Sequence, residues 1–288
     1  MFFRRRDIPL LAYNISFYCY NLGDNDRNEG IKLNETIQAI ASMAEKKAKL
    51  INSSIARYLM LAFYGGLFIG FGMLTFIVIG GLLTPAEVPT MKILQGASFG
   101  IALCMVTLGG VDLFTGNNLV MTIGALEKRT TVRDLVKVWT IGYAGNFVGA
   151  VVCAWFFFMT GYVVGDLAAY VEKVTILKMS ATTTELLFRG ILCNILVCLA
   201  VWCGYRVKNE VAKILLIFCC IYPFILSGFE HSIANMMLFS LAMMIPHNEI
   251  ISISGAIHNL IPVTIGNILG GAVVLGLGLW LTKAQKSE

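Results

Sequence analysis

The chain has 288 residues, of which 57% are apolar and only 14% charged, with a mean hydropathy of +0.76. A soluble domain carries roughly a quarter charged residues, so soluble and disordered classes are excluded. Its 22 basic against 17 acidic residues leave +5 without a long basic stripe, which gives nucleic-acid binding no support.

Residues 1–33 read as an N-terminal extension. Arg4-Arg5-Arg6 ahead of a short apolar run looks like the start of a signal peptide, but Pro9 and Asn14 interrupt the run and no small-x-small cleavage site follows. From Asn34, which can cap a helix, Ile37, Ile40, Ala41, Ala44 and Ala48 recur at helical spacing beside lysines. Residues 34–57 are therefore expected to form an amphipathic helix on the cytoplasmic membrane surface, with Lys46 its candidate functional cation.

A membrane span needs about 20 mainly apolar residues. Six are expected within 58–282, at 58–83, 93–126, 135–164, 186–205, 211–245 and 260–281. The second and fifth are too long for one straight helix. The second holds Gly109-Gly110, Asp112 and Thr115-Gly116-Asn117-Asn118; the fifth holds Ser227-Gly228-Phe229-Glu230-His231-Ser232. Residues 165–185 read as a loop of mixed charge. Basic residues gather before span one, after span two (Lys128, Arg129, Arg133, Lys137) and after span four (Arg206, Lys208, Lys213). The positive-inside rule then makes both termini cytoplasmic, including a 283–288 tail, in a multi-pass protein of the cell (inner) membrane. The 28 glycines suit close helix packing.

The halves echo each other. Gly145-Asn146-x-x-Gly149 in span three matches Gly266-Asn267-x-x-Gly270 in span six, and each follows an interrupted span. Three spans per half is an odd number, so the repeats must be inverted, and paired broken helices then place a solute pathway at the bilayer midplane. Transport is the function class this pattern implies.

Few residues could carry chemistry. Seven of the eight cysteines, Cys104 to Cys220, lie in apolar runs, without the spacing of a metal site or a redox pair. Gly96-Ala97-Ser98-Phe99-Gly100 matches a nucleophile elbow, but in a span it is small-residue packing. No metal, no cofactor and no enzymatic activity are expected. His247 and His258 fall in an outer loop, whereas His231 sits in the second break beside Glu230 and Asn235. An ionisable group at that depth is a functional candidate. It could carry a proton or simply bond to freed backbone. Thr115, Asn117 and Asn118 offer polar groups in the first break, Asn194 is a lone amide in span four, and Lys178 and Arg189 are outer-side cations.

On Asp112-Leu113-Phe114-Thr115-Gly116-Asn117, Gly145-Asn146, Cys193-Asn194 through Trp202, Gly228 through Met236 and Asn259-Leu260-Ile261-Pro262 through Gly270, the chain resembles the formate/nitrite transporter family. The resemblance implies an all-α, aquaporin-like protomer with one pore, assembled as a homopentamer in a lipid bilayer, for small monovalent anions: formate, nitrite or hydrosulfide. It implies His231 at the centre, facing Thr115 and Asn194, and Lys178 in the vestibule. It implies an inner apolar constriction at Leu103 and Phe224 with Phe99, and an outer one at Leu113 and Phe114. Glu230, Asn235 and Asn117 would support the broken segments. A neutral-solute channel of aquaporin type is the alternative, and its Asn-Pro-Ala boxes are absent from the sequence.

Overall fold

The computed structural model describes residues 32–283, so the expected N-terminal extension and C-terminal tail lie almost wholly outside the described residues. Those residues are all-helical, with no strand among them. Helix α1 covers 32–53. Its apolar stripe is buried as the spacing predicts, with Ile37, Ile40, Ala41 and Ala44 fully enclosed. What encloses it is protein. The stripe clusters with Tyr58, Leu119, Val120, Ile123 and Trp202, and Ala44 fills the space that a Cβ on Gly124 would need. The expected membrane-surface docking is corrected accordingly. An alanine-rich stripe is flat enough to lie against another helix.

The chain continues as α2 (Ile55–Leu83), α3 (Met91–Leu108), α4 (Phe114–Leu126), α5 (Val132–Met159), α6 (Gly165–Met179) and α7 (Thr183–Arg206). Then come α8 (Glu210–Leu226), α9 (Ser232–Ala242) and α10 (Ile253–Ile268), which runs on through a π-helical stretch, Leu269–Leu277, into a last turn. Among the described residues, five helices are long and apolar enough to cross a membrane: α2, α3, α5, α7 and the whole of Ile253–Leu281. The interrupted stretch at 211–245 holds the two shorter helices α8 and α9, and the stretch read as a loop at 165–185 holds α6.

Local chemistry sets the helix starts. Thr131 with Asp134 and Thr182 with Glu185 form reciprocal capping boxes at α5 and α7, while Asn209 and Ser252 cap α8 and α10. Glycines let α5 lie against α2, and α10 against α7. A Cβ on Gly149 would overlap the Phe63 carbonyl, and one on Gly270 the Ile191 carbonyl. The discarded nucleophile-elbow motif does the same on α3, where Gly100 lies against the Phe218 ring of α8.

Candidate pore site

The site is built where two helix pairs are interrupted. At 109–113 and again at 227–231 the chain leaves one helix, turns at a left-handed glycine (Gly110 φ 63°, Gly228 φ 69°) and starts another. The turns share their bonds. Val111 N–H donates to Val106 O at 3.2 Å and Phe229 N–H to Phe224 O at 3.1 Å, the closing bond of a Schellman motif in each case. The next residues dock on a neighbouring helix: Asp112 N–H donates to Leu61 O of α2 (3.1 Å), and Glu230 N–H to Arg189 O of α7 (3.3 Å).

The asparagine of each Gly-Asn motif completes a break. Asn146 Oδ1 accepts from Phe114 N–H at 2.8 Å, and its amide donates to Ala62 O and Asp112 O. Asn267 Oδ1 accepts from Ser232 N–H at 3.0 Å, and its amide donates to Gly190 O and Glu230 O. Each therefore caps, from another helix, the helix that follows the break. A buried acid holds each break laterally. Asp112 accepts from Lys47 of α1, from Tyr58 Oη (2.7 Å) and from Asn117. Glu230 accepts from Lys178 of α6 (2.9 Å) and from Asn235, whose amide also donates to Asn259. The loop-support residues Asn117, Glu230 and Asn235 thus all bond within the breaks. Lys46 is exposed, and it is Lys47 that turns inward.

At the junction, Thr115 Oγ1 and His231 Nε2 lie 3.0 Å apart, both buried. His231 caps α9, its Nδ1 accepting from Ala234 N–H at 3.2 Å. With Nδ1 an acceptor, the ring hydrogen sits on Nε2 and is donated to Thr115. Asn194 is bonded to the residues that follow the first break. Its amide donates to Thr115 O, Asn118 Oδ1 and Asn267 O, so it ties α4 to α10 from behind.

A cavity of about 890 Å³ leads from the turn between α2 and α3 to His231, lined among others by Lys92, Lys178, Arg189, Glu230, Phe99 and Phe224. The two phenylalanine rings stand edge to face, centroids 5.7 Å apart, and Phe224 lies 6.1 Å from the His231 ring. Phe99 and Phe224 thus share their cavity with Lys178. Because α3 enters from the α2–α3 turn, Phe99 and Phe224 flank the cavity on the face away from α1. Leu113 and Phe114 follow Asp112, which α1 holds through Lys47, and Phe114 packs on Trp139 and Tyr143. Leu103 is buried in the core of the same α3. His258, expected in a loop, lies in α10 with its ring bonded to Ala181 O.

Comparison with known proteins agrees with this architecture. The family model described as Formate/nitrite transporter matches residues 34–281. Nitrite transporter NirC of Salmonella typhimurium is 36% identical over 258 residues, covering 88% of this chain and 93% of that protein. A solved structure titled FNT family ion channel superposes with a TM-score of 0.83 at 35% identity, covering 87% of this chain and 100% of that one. One titled pentameric formate channel with formate bound gives 0.70 at 28% identity, covering 81% and 98%. These relatives are channels and transporters rather than enzymes, and this chain is a multi-pass membrane protein belonging to the formate/nitrite transporter family.

Proposed function

We propose that the chain is a channel for formate or nitrite, with one pore in each protomer of a homopentamer. The observation that carries the reading is the Thr115–His231 pair, buried at 3.0 Å where the two breaks meet, beneath a cavity that four basic residues and three glutamates line, with an aromatic neck. The duplicated bonds of the breaks support two inverted repeats. In this reading α3–α4 and α8–α9 are the second and fifth of six crossings, and α1 and α6 are equivalent lateral braces. The α1 face, where the described chain begins and ends, is cytoplasmic by its lysines and arginines. Relatives of this chain are named for nitrite and formate, and the chemistry fits both anions.

The positive ends of α4 and α9 meet at the pair, and oriented N–H groups there favour an anion. The apolar necks oppose a bare charge, since an ion at that depth is expensive. A weak-acid anion gathered in the vestibule therefore crosses a neck as its neutral acid, and His231 donates through Nε2–H to hold it between the necks. The proton comes with the solute. Cationic His231 would need a second proton at Nδ1, where Ala234 N–H already donates.

Purified protein in liposomes tests the reading. Formate and nitrite uptake should rise as external pH falls from about 8 to about 5, and His231→Phe should abolish it. Glycerol-driven swelling without anion flux would establish the neutral-solute channel instead.

A further inference from the structure

We propose that Arg189 is a specificity-determining residue of the vestibule, whose guanidinium recognises planar anions with two oxygens as they approach His231. The inference rests on the anion-channel reading above. Lys178 cannot supply this recognition from its present position. Its ammonium donates to Glu230 at 2.9 Å and is largely enclosed. Arg189 stands in the same cavity with 38% of its side chain exposed.

The root of Arg189 is fixed. Its carbonyl accepts from Glu230 N–H at 3.3 Å, and the next carbonyl, Gly190 O, accepts from Asn267 at 2.9 Å. The side chain therefore springs from the segment of α7 bound to the second break, and Glu230 is the immediate neighbour of His231. Its head is oriented by one bond, Nη2 to Glu185 Oε1 at 3.1 Å. Glu185 is itself held by the capping box, accepting from Thr182 N–H at 2.9 Å and Thr182 Oγ1 at 2.8 Å. Among the described residues, the other N–H groups of the fork have no acceptor.

Chemistry then selects the solute. A guanidinium presents coplanar N–H groups that match two oxygens at once. Formate and nitrite each offer such a pair, whereas hydrosulfide offers a single sulfur and gains only from charge. The Glu185 contact does not block exchange, because an ion pair this exposed holds weakly. Arg189 is thus poised to pass from Glu185 to an arriving two-oxygen anion, discriminating against one-atom anions before the neck.

The test compares wild type, Arg189→Lys and Arg189→Gln in liposomes, with formate, nitrite and hydrosulfide flux each corrected for protein-free leak. Arg189→Lys keeps the charge and loses the fork. It should raise the half-saturating concentration for formate and nitrite about tenfold, in line with loss of one charge-assisted bond, and leave that for hydrosulfide within about twofold. Arg189→Gln should weaken all three, the two-oxygen anions most. Equal behaviour of the three anions in Arg189→Lys, whether unchanged or reduced, overturns the proposal while leaving an anion channel. Absence of wild-type flux for all three removes the channel reading and this inference with it. Assembly of both variants is checked by size exclusion.

Discussion

His231 performs two jobs with two nitrogens, and they can be separated by substitution. Nδ1 caps α9 and Nε2 faces Thr115. Asparagine is also a strong N-cap residue, and its amide offers a donor in place of Nε2–H. His231→Asn should therefore assemble and keep wild-type thermal stability. If the proton travels with the solute, as proposed, its uptake should retain the wild-type dependence on pH between about 5 and 8. His231→Phe leaves Ala234 N–H uncapped, at a cost of about 1 kcal/mol, and fills the space between the necks. A flattened pH profile in His231→Asn would instead make the ring a proton carrier. The sequence showed His231 to be special because an ionisable residue stood in an interrupted span. It could not show which nitrogen does what, since that depends on the Ala234 amide direction set by the left-handed turn at Gly228. Asn194 was legible only in part, for a related reason. A lone amide in an apolar helix announces that it has partners, and only the packed fold reveals those of its N–H groups as backbone carbonyls and Asn118.

Between elements, the two ends of the described chain meet at Glu127, immediately after α4. Its carboxylate accepts from Gln38 of α1, from Trp280 Nε1 (2.8 Å) and from Lys283 Nζ (2.6 Å). Burial raises its pKa, but the bonds from Lys283, Trp280 and Gln38 outweigh that and hold it below the usual glutamate value. A lowered pKa in the folded state stabilises above the unfolded carboxylate range and is lost as pH falls through the folded value. The clasp should thus persist at neutral and mildly acid pH and open only below the usual glutamate range. Glu127→Gln should loosen it at pH 7 by about 1–2 kcal/mol. Hydrogen exchange should then quicken in 32–53 and around Trp280 while α2 and α5 stay protected; unchanged exchange in 32–53 would show that apolar packing alone holds α1. That packing was legible from Ile37, Ile40, Ala41 and Ala44. The same period exists in α6, whose buried residues are Leu167, Tyr170, Val171, Thr175 and Met179. Flanking glycines and interspersed charges hid it, so the lateral brace bearing Lys178 was read as loop.

At the scale of the whole molecule, the break geometry repeats almost bond for bond. Leu61 corresponds to Arg189, Ala62 to Gly190, Asn146 to Asn267, Asp112 to Glu230 and Lys47 to Lys178. The sequence carried the Gly-Asn echo and the matched interruptions, but not the pairing of the braces, because Lys47 and Lys178 lie in segments of unlike composition. Both breaks, Phe99 and Phe224, and the Thr115–His231 pair all come from one chain. Meanwhile Phe147, Trp155, Phe156, Phe188 and Leu215 expose large apolar surface, as suits contact with lipid and with neighbouring copies. If pores are separate, assembly supplies burial and orientation rather than any part of the pathway. Co-expressing wild-type and His231→Phe subunits at graded ratios then distinguishes the architectures. Flux per assembled oligomer should fall in direct proportion to the fraction of blocked subunits, since each remaining wild-type protomer conducts on its own. A pathway shared between protomers would fail far more steeply, because one blocked subunit would disable every oligomer that contains it.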